Sequence, residues 1–251
     1  MLDPSVFIGE YPFRHVPHPE AAILARVMER EGITHAWVGH LPSAFADDPT
    51  AGNAGLYKAL ESHRALMSPA PAIHPGRSGW QTALADAANA GAAAIRAYPP
   101  QWKLGPDSSA MCDLAIACGE RRLPLILTVR FEDLRQRSTL DTAGDLTGAA
   151  IRTLARAGTD VRLIVSAAGR DLIEEVHWGL TPAEHARVFW DISWIWGPPE
   201  DHLAKLFRTI GSSRFVFGSQ WPLRLVQSPK ANLELLPPDV AAAKLGDPRK
   251  R

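Results

Sequence analysis

His40 in WVGHLPS and His74 in AIHPG carry imidazoles able to accept a proton near neutral pH, and Asp191 in WDIS could orient one of them as a catalytic base. Arg96 in AIRAY and Arg130 in TVRFED could grip a carboxylate or phosphate through paired N–H donors. Tyr98, Gln220 and Trp221 stand close enough in sequence to such groups to add substrate contacts. Each residue also has a plainer reading. His74 can cap a strand by bonding the following turn, and His40 can be an ordinary loop residue. Arginines inside strand patterns either pair with an acid such as Glu132 or Asp191, or face a ligand. Asp191 itself reads first as structural.

Other chemistry-bearing residues are less promising. His15 and His18 flank Pro17, which argues against a helical ligand pair and for a solvent-facing loop. Trp190, Trp194, Trp196 and Trp221 can pack at a rim or wall a pocket. Cys112 and Cys118 are too few for a disulfide framework or a thiolate zinc site, and read as small core residues.

Positioning these side chains falls to short apolar runs bounded by Gly or Pro: 5–9, 34–40, 65–74, 92–98, 124–130, 161–166, 186–193 and 213–219. Such runs suit strands buried on both faces of a parallel sheet. Between them lie helical patterns at 19–32, 53–66, 79–91, 108–122, 146–158, 169–179 and 199–211, with a last helix expected at 231–245. Several end in Gly, the favoured residue just past a helix C-terminus. Eight strand–helix units in about 250 residues predict an α/β chain folded as one (β/α)8 TIM-like barrel spanning residues 1–251. The candidate residues above then follow strand C-termini, where such barrels build their sites.

Composition narrows the partners. Lys and Arg total 27 against 27 Asp and Glu, so the formal charge is zero. That balance gives no footprint for nucleic acid and no polybasic membrane patch. No apolar run approaches the roughly 18 residues of a membrane span. With an acid at Asp3 and no basic residue before Arg14, the start does not read as a secretory signal. The expectation is a cytoplasmic, reduced, soluble protein.

DPSVFIGEYPFR (3–14) and RFVFGSQWPL (214–223) resemble the first- and eighth-strand motifs of the amidohydrolase-related family, D-x-H-x-H-x-G and F-G-[ST]-D-[WYF]-P. The segment 91–127 resembles that family's fourth-strand glycine, its P-x-Y/W loop and its LPL strand, and KLGDPRKR (244–251) its closing segment. The resemblance spans nearly the whole chain. It implies a small-molecule hydrolase or decarboxylase, usually working through zinc or another divalent metal, and adds a homo-oligomer as a partner without identifying a seam. The departures are as informative. The two first-strand histidines fall on Ser5 and Phe7, the fifth strand offers no histidine, IVSAAG replaces the sixth-strand H-x-G, and Gln220 stands for the eighth-strand aspartate. The resemblance therefore implies a relative without the usual metal, so that no cofactor is expected: either a metal-independent enzyme or a catalytically silent barrel that binds a ligand or serves as a scaffold, with an enzyme that recruits a metal through other residues, for instance His40, His74 and Asp191, ranked between them.

Overall fold

The computed structural model describes residues 1–249. Among them, strands and helices alternate in chain order: β1 (Leu2–Ile8), α1 (Ala21–Glu31), β2 (His35–His40), α2 (Thr50–Leu60), β3 (Met67–Pro69) and α3 (Trp80–Asn89) come first. There follow β4 (Ile95–Ala97), α4 (Ser109–Glu120), β5 (Leu125–Thr128), α5 (Gly148–Ala157), β6 (Leu163–Ser166) and α6 (Arg170–Trp178). The short α7 (Pro182–His185), β7 (Val188–Asp191), α8 (His202–Ile210), β8 (Phe215–Val216) and α9 (Gln227–Glu234) complete the order. The sheet is parallel and runs in sequence order, as two arcs, β1-β2-β3 and β4-β5-β6-β7-β8. Isolated contacts join the arcs. On one side Ala72 bridges to Arg96. On the other the Phe7 amide donates to the Trp221 carbonyl at 2.8 Å. This is the strand order and direction of a (β/α)8 barrel.

Alternation along the strands separates two environments. Trp37, Ile126, Ile164, Phe189 and Val216, with Ala70 and Ala94 beside β3 and β4, form a small cluster of their own. Their strand neighbours, among them Val38, Ile95, Leu125, Leu163, Trp190 and Phe215, pack instead into the main core. The small cluster is the barrel's inner floor and the larger one includes the layer beneath the helices. The same parity turns Gly39, Arg96, Thr128, Ser166 and Asp191 inward, above that floor.

Local chemistry sets the helix ends. Gly32 takes a left-handed conformation (φ 68°) and closes α1 onto the Met28 and Glu29 carbonyls. Ser108 and Thr147 cap α4 and α5 by accepting the Met111 and Ala150 amides. Thr181 and Glu184 form a reciprocal capping box that starts α7, an element not expected from apolar spacing. The last helix is corrected from 231–245 to Gln227–Glu234. Pro229 is tolerated in its first turn, whereas Pro237 and Pro238 lack the N–H groups that further turns require.

Cys118 is fully buried and Cys112 partly so, both as free thiols. Burial pushes the Cys118 thiol up to about 12 and raises Cys112 as well. Native protein treated with a thiol-specific disulfide reagent at pH 8 is expected to react slowly at one cysteine, and at both only after unfolding.

Candidate functional site

Rings close the C-terminal mouth of the barrel. Phe131, just past β5, sits 5.9 Å from Phe7, 5.0 Å from Phe45, 5.7 Å from Tyr98 and 6.3 Å from Tyr11, centroid to centroid. Phe13 stacks edge-on against both Tyr11 and Phe45. Trp102 continues the layer from Tyr98 to His74, whose ring lies nearly parallel to the indole at 4.5 Å. Such tilted and edge-to-face pairs are the favoured aromatic geometries. Glu132 anchors the segment by an ion pair with Arg14 at 2.7 Å. Arg137 braces it from within by donating to the carbonyls of Ala143 and Glu132.

Beneath the rings lies a sealed polar layer. Arg96 is fully buried. Its Nη2 donates to the carbonyls of Pro4, Val6 and Trp37 at 2.7, 3.3 and 3.3 Å, and its guanidinium carbon lies 4.4 Å from the Phe7 ring centroid. Gly39 makes room for it, since a Cβ there would fall 2.6 Å from Arg96 Nε and 2.7 Å from its Cδ. Two buried carboxylates, Asp3 and Asp191, attract the guanidinium. Both oxygens of Asp191 are hydrogen-bonded. Its Oδ1 accepts from the amides of Ala167 and Ser193 and from Ser193 Oγ at 2.6 Å, and its Oδ2 from Ser166 Oγ. Asp3 accepts the Ser5 amide at Oδ1, but Oδ2 has no partner. Burial, with the nearby Asp191 charge a lesser cause, raises its pKa to about 6. Ser5 Oγ, Tyr98 Oη, Thr128 Oγ1 and Arg96 Nε and Nη1 are likewise buried without partners.

The residues expected from sequence are distributed as follows. Arg96, Tyr98 and Gln220 are fully buried in or around this layer. Gln220 takes a left-handed backbone (φ 57°), donates to Ser166 Oγ at 3.0 Å and accepts from Trp194 Nε1 at 3.1 Å. Trp221 sits half-buried at the β1–β8 seam. Arg130 pairs with Asp145 at 2.8 Å on the rim. His40 bonds Ser43 Oγ through Nδ1 at 2.8 Å, and burial lowers its pKa. His74 accepts the Gly76 amide at Nδ1 (3.1 Å), and burial lowers its pKa too. Asp191 hydrogen-bonds to neither histidine, so the structure does not join the three into a relay.

Two open cavities flank the closed mouth. One, about 390 Å³, is lined by His74, Asp48, Asn53, Arg77 and Trp80. The other, about 460 Å³, lies between the segments after β7 and β8 and is lined by Trp194, Trp196, Arg224, Leu225 and Asn232. Arg224 was not foreseen; its position next to the WP segment in SQWPLR was the available signal. Its guanidinium stacks 3.8 Å from the Trp194 ring centroid and Nη1 donates to the Ser193 carbonyl at 3.1 Å. No hydrogen-bond acceptor for its Nε or Nη2 appears among the described residues. Trp196 is 55% exposed along the same groove.

No family model matches the sequence, and no curated protein matches it. Solved structures do. A 2,6-dihydroxybenzoate decarboxylase complexed with 2,6-dihydroxybenzoate superposes with a TM-score of 0.68 at 13% identity, over 97% of this chain and 95% of that one. An amidohydrolase II protein gives 0.68 at 11% identity, over 98% and 97%. A dihydroxybenzoic acid decarboxylase from Polaromonas sp. JS666, with bound manganese and 2-nitroresorcinol, gives 0.62 at 12%, over 85% and 79%. In fold, this chain is similar to decarboxylases and hydrolases of the amidohydrolase superfamily.

Proposed function

We propose that this barrel carries out no metal-assisted hydrolysis or decarboxylation at its centre and acts as a ligand-binding subunit for a small aromatic acid held at the rim. The observation that carries the reading is Arg96, a permanent cation buried among Asp3, Asp191 and the carbonyls of β1 and β2. A divalent ion placed among these groups would meet a guanidinium that cannot be deprotonated. The ring of Phe7 fills a position where the resemblance implies an imidazole, and Asp191 already accepts from four donors, three at Oδ1 and one at Oδ2. The donor set therefore does not fit a metal of the kind bound by the manganese-containing neighbour. Thr128 and Ser166 supply only neutral hydroxyls at the corresponding strand ends. The remaining orphaned atoms mix donors with acceptors and suit buried water.

Arg224 and the two tryptophans suit an aromatic carboxylate. The volume of the groove lies in the range of small-molecule sites. Trp196 offers a ring face, and Nε and Nη2 of Arg224 form the edge that pairs with two carboxylate oxygens. Titration with 2,6-dihydroxybenzoate, followed by tryptophan fluorescence, is expected to saturate. Arg224→Ala is expected to weaken it at least tenfold, about 1.4 kcal/mol. Release of CO2 from that compound is expected to be absent with or without added manganese. Manganese-dependent release would overturn the silent-barrel reading, and binding indifferent to Arg224 would overturn the rim site.

A further inference from the structure

The segments after β2 and β3 wall the cavity of about 390 Å³ beside the closed mouth, a volume in the range of small-molecule sites. Its two walls differ in character. The β3 side offers hydrogen-bond donors, and the β2 side an excess of carboxylate.

On the β3 side, His74 is 8% exposed and lies flat on Trp102. The Gly76 amide donates to its Nδ1 at 3.1 Å, which leaves the proton of the neutral imidazole on Nε2. Burial favours that neutral ring, against the opposing pull of Asp47 and Asp48. The turn is shaped for this bond, since a Cβ at Gly76 would fall 2.9 Å from His74 Cε1. His74 is therefore a donor and not a base: the turn occupies one nitrogen, and the other carries the proton. No acceptor for Nε2 appears among the described residues, and His74 lines the cavity. The start of α3 stands on the same wall. Gly79 precedes it in a left-handed conformation (φ 80°), and no side chain caps it. Its first backbone bond runs from the Ala83 amide to the Gly79 carbonyl at 3.0 Å, so the amides of Trp80, Gln81 and Thr82 have no partner within the helix. A Cβ on Gly79 would meet no atom within 4 Å, so the space before the helix is open.

On the β2 side, Asp48 Oδ1 accepts the Thr50 amide and hydroxyl at 2.9 and 2.7 Å. Its Oδ2 has no donor among the described residues. The hydrogen bonds from Thr50, and then the charge of Arg77, hold the Asp48 carboxyl below the usual carboxylate range. Arg77 itself pairs with Asp47 at 2.8 Å. One arginine thus stands against two carboxylates, and with His74 neutral the balance at the cavity is negative. A simple anion does not suit it, and a simple cation would leave the donor wall unserved. Asn53 cannot adapt to either, because its amide is spent on the backbone of Ala72, donating at 2.7 Å and accepting at 2.9 Å. The complement of both walls is a molecule negative at one end and positive at the other.

We infer that this cavity is a second binding site, taking a small zwitterion such as a free amino acid, its carboxylate on His74 Nε2 and the first amides of α3 and its ammonium towards Asp48. Isothermal titration of the full chain with glycine, β-alanine and γ-aminobutyrate tests this, with acetate and ethylammonium as single-charge controls. Saturable binding of at least one zwitterion is expected, with both controls at least about tenfold weaker. Asp48→Asn keeps an oxygen for Thr50 but removes the charge, and is expected to weaken binding about tenfold. His74→Phe keeps a ring over Trp102 but removes the donor, with a similar loss expected. Lys58→Ala, on the exposed side of α2 outside the cavity, leaves binding unchanged. Circular dichroism of each variant separates lost binding from lost fold, and Asp48→Asn, at an exposed position, carries the test should His74→Phe unfold. Absence of saturable binding for all three zwitterions would overturn the site. Acetate or ethylammonium binding as tightly as the best zwitterion, or undiminished binding in Asp48→Asn or in folded His74→Phe, would do the same.

Discussion

Arg96→Ala is expected to lower stability by about 3–5 kcal/mol, because it strands buried negative charge and empties a well-packed site. Asp191 and Asp3 lose the guanidinium that they attract, and the carbonyls of Pro4, Val6 and Trp37 lose their shared donor. Chemical denaturation monitored by circular dichroism measures the loss, and in a chain of this size a melting shift on the order of 10 °C should accompany it. Gly39→Ala supplies an independent check. In the native background its Cβ collides with Arg96, and overpacking of this kind costs about 1–3 kcal/mol. In the Arg96→Ala background the collision is relieved, so the two losses should fall short of their sum by at least about 1 kcal/mol. Unchanged stability in Arg96→Ala, or strict additivity with Gly39→Ala, would contradict the packing described.

Asp3 should make stability fall as pH rises from about 4 to about 6. Its folded pKa is raised from 3.8 to about 6, chiefly by burial. In that window the unfolded chain has released a proton that the folded chain still holds, so alkalinity favours unfolding. A shift of roughly two units at 1.36 kcal/mol each corresponds to about 3 kcal/mol, fully present below pH 4 and lost above pH 6. His185 acts in the opposite sense. Its folded pKa is lowered from 6.5 to about 4, first by burial and then by His177 and Arg214, so its contribution is lost as pH falls. Trp190 Nε1 donates to His185 Nε2, which holds that nitrogen as an acceptor. Because the two trends overlap, the informative quantity is the stability difference between Asp3→Asn and the native protein. That difference should favour the variant at pH 7.5 and shrink by about 3 kcal/mol on going to pH 4. A difference that does not change with pH would show that Asp3 does not titrate in this way.

The barrel was legible in the sequence because the strands are short and apolar, most of them bounded by Gly or Pro, and several helices end in Gly. The last helix, expected at 231–245, instead occupies Gln227–Glu234, because Pro237 and Pro238 cannot supply the N–H groups that further turns need. Thr181 and Glu184 offered a capping box that apolar spacing overlooks. The site was harder to read. Arg96 stands in a three-residue strand, and nothing local tells whether its guanidinium meets an acid, a ligand or backbone carbonyls. The deciding partner is Gly39, 57 positions away, whose missing side chain leaves the space. Phe7 and Phe131 were separate apolar residues in sequence, and only closure of the sheet brings their rings together over one mouth. His40, His74 and Asp191 share a barrel end yet sit in different surroundings, because strand position fixes which end a residue occupies but not which neighbours it meets.

The interlock of Gly39, Arg96 and Phe7 also constrains descent. A lineage acquiring an imidazole at position 7 would set it against a guanidinium in a space already full, and one discarding Arg96 first would pass through a chain weakened by about 3–5 kcal/mol. Neither single step is favourable alone, so the present interior behaves as a ratchet. Descendants of this chain are freer to elaborate its rim than to rebuild the packed layer at its centre.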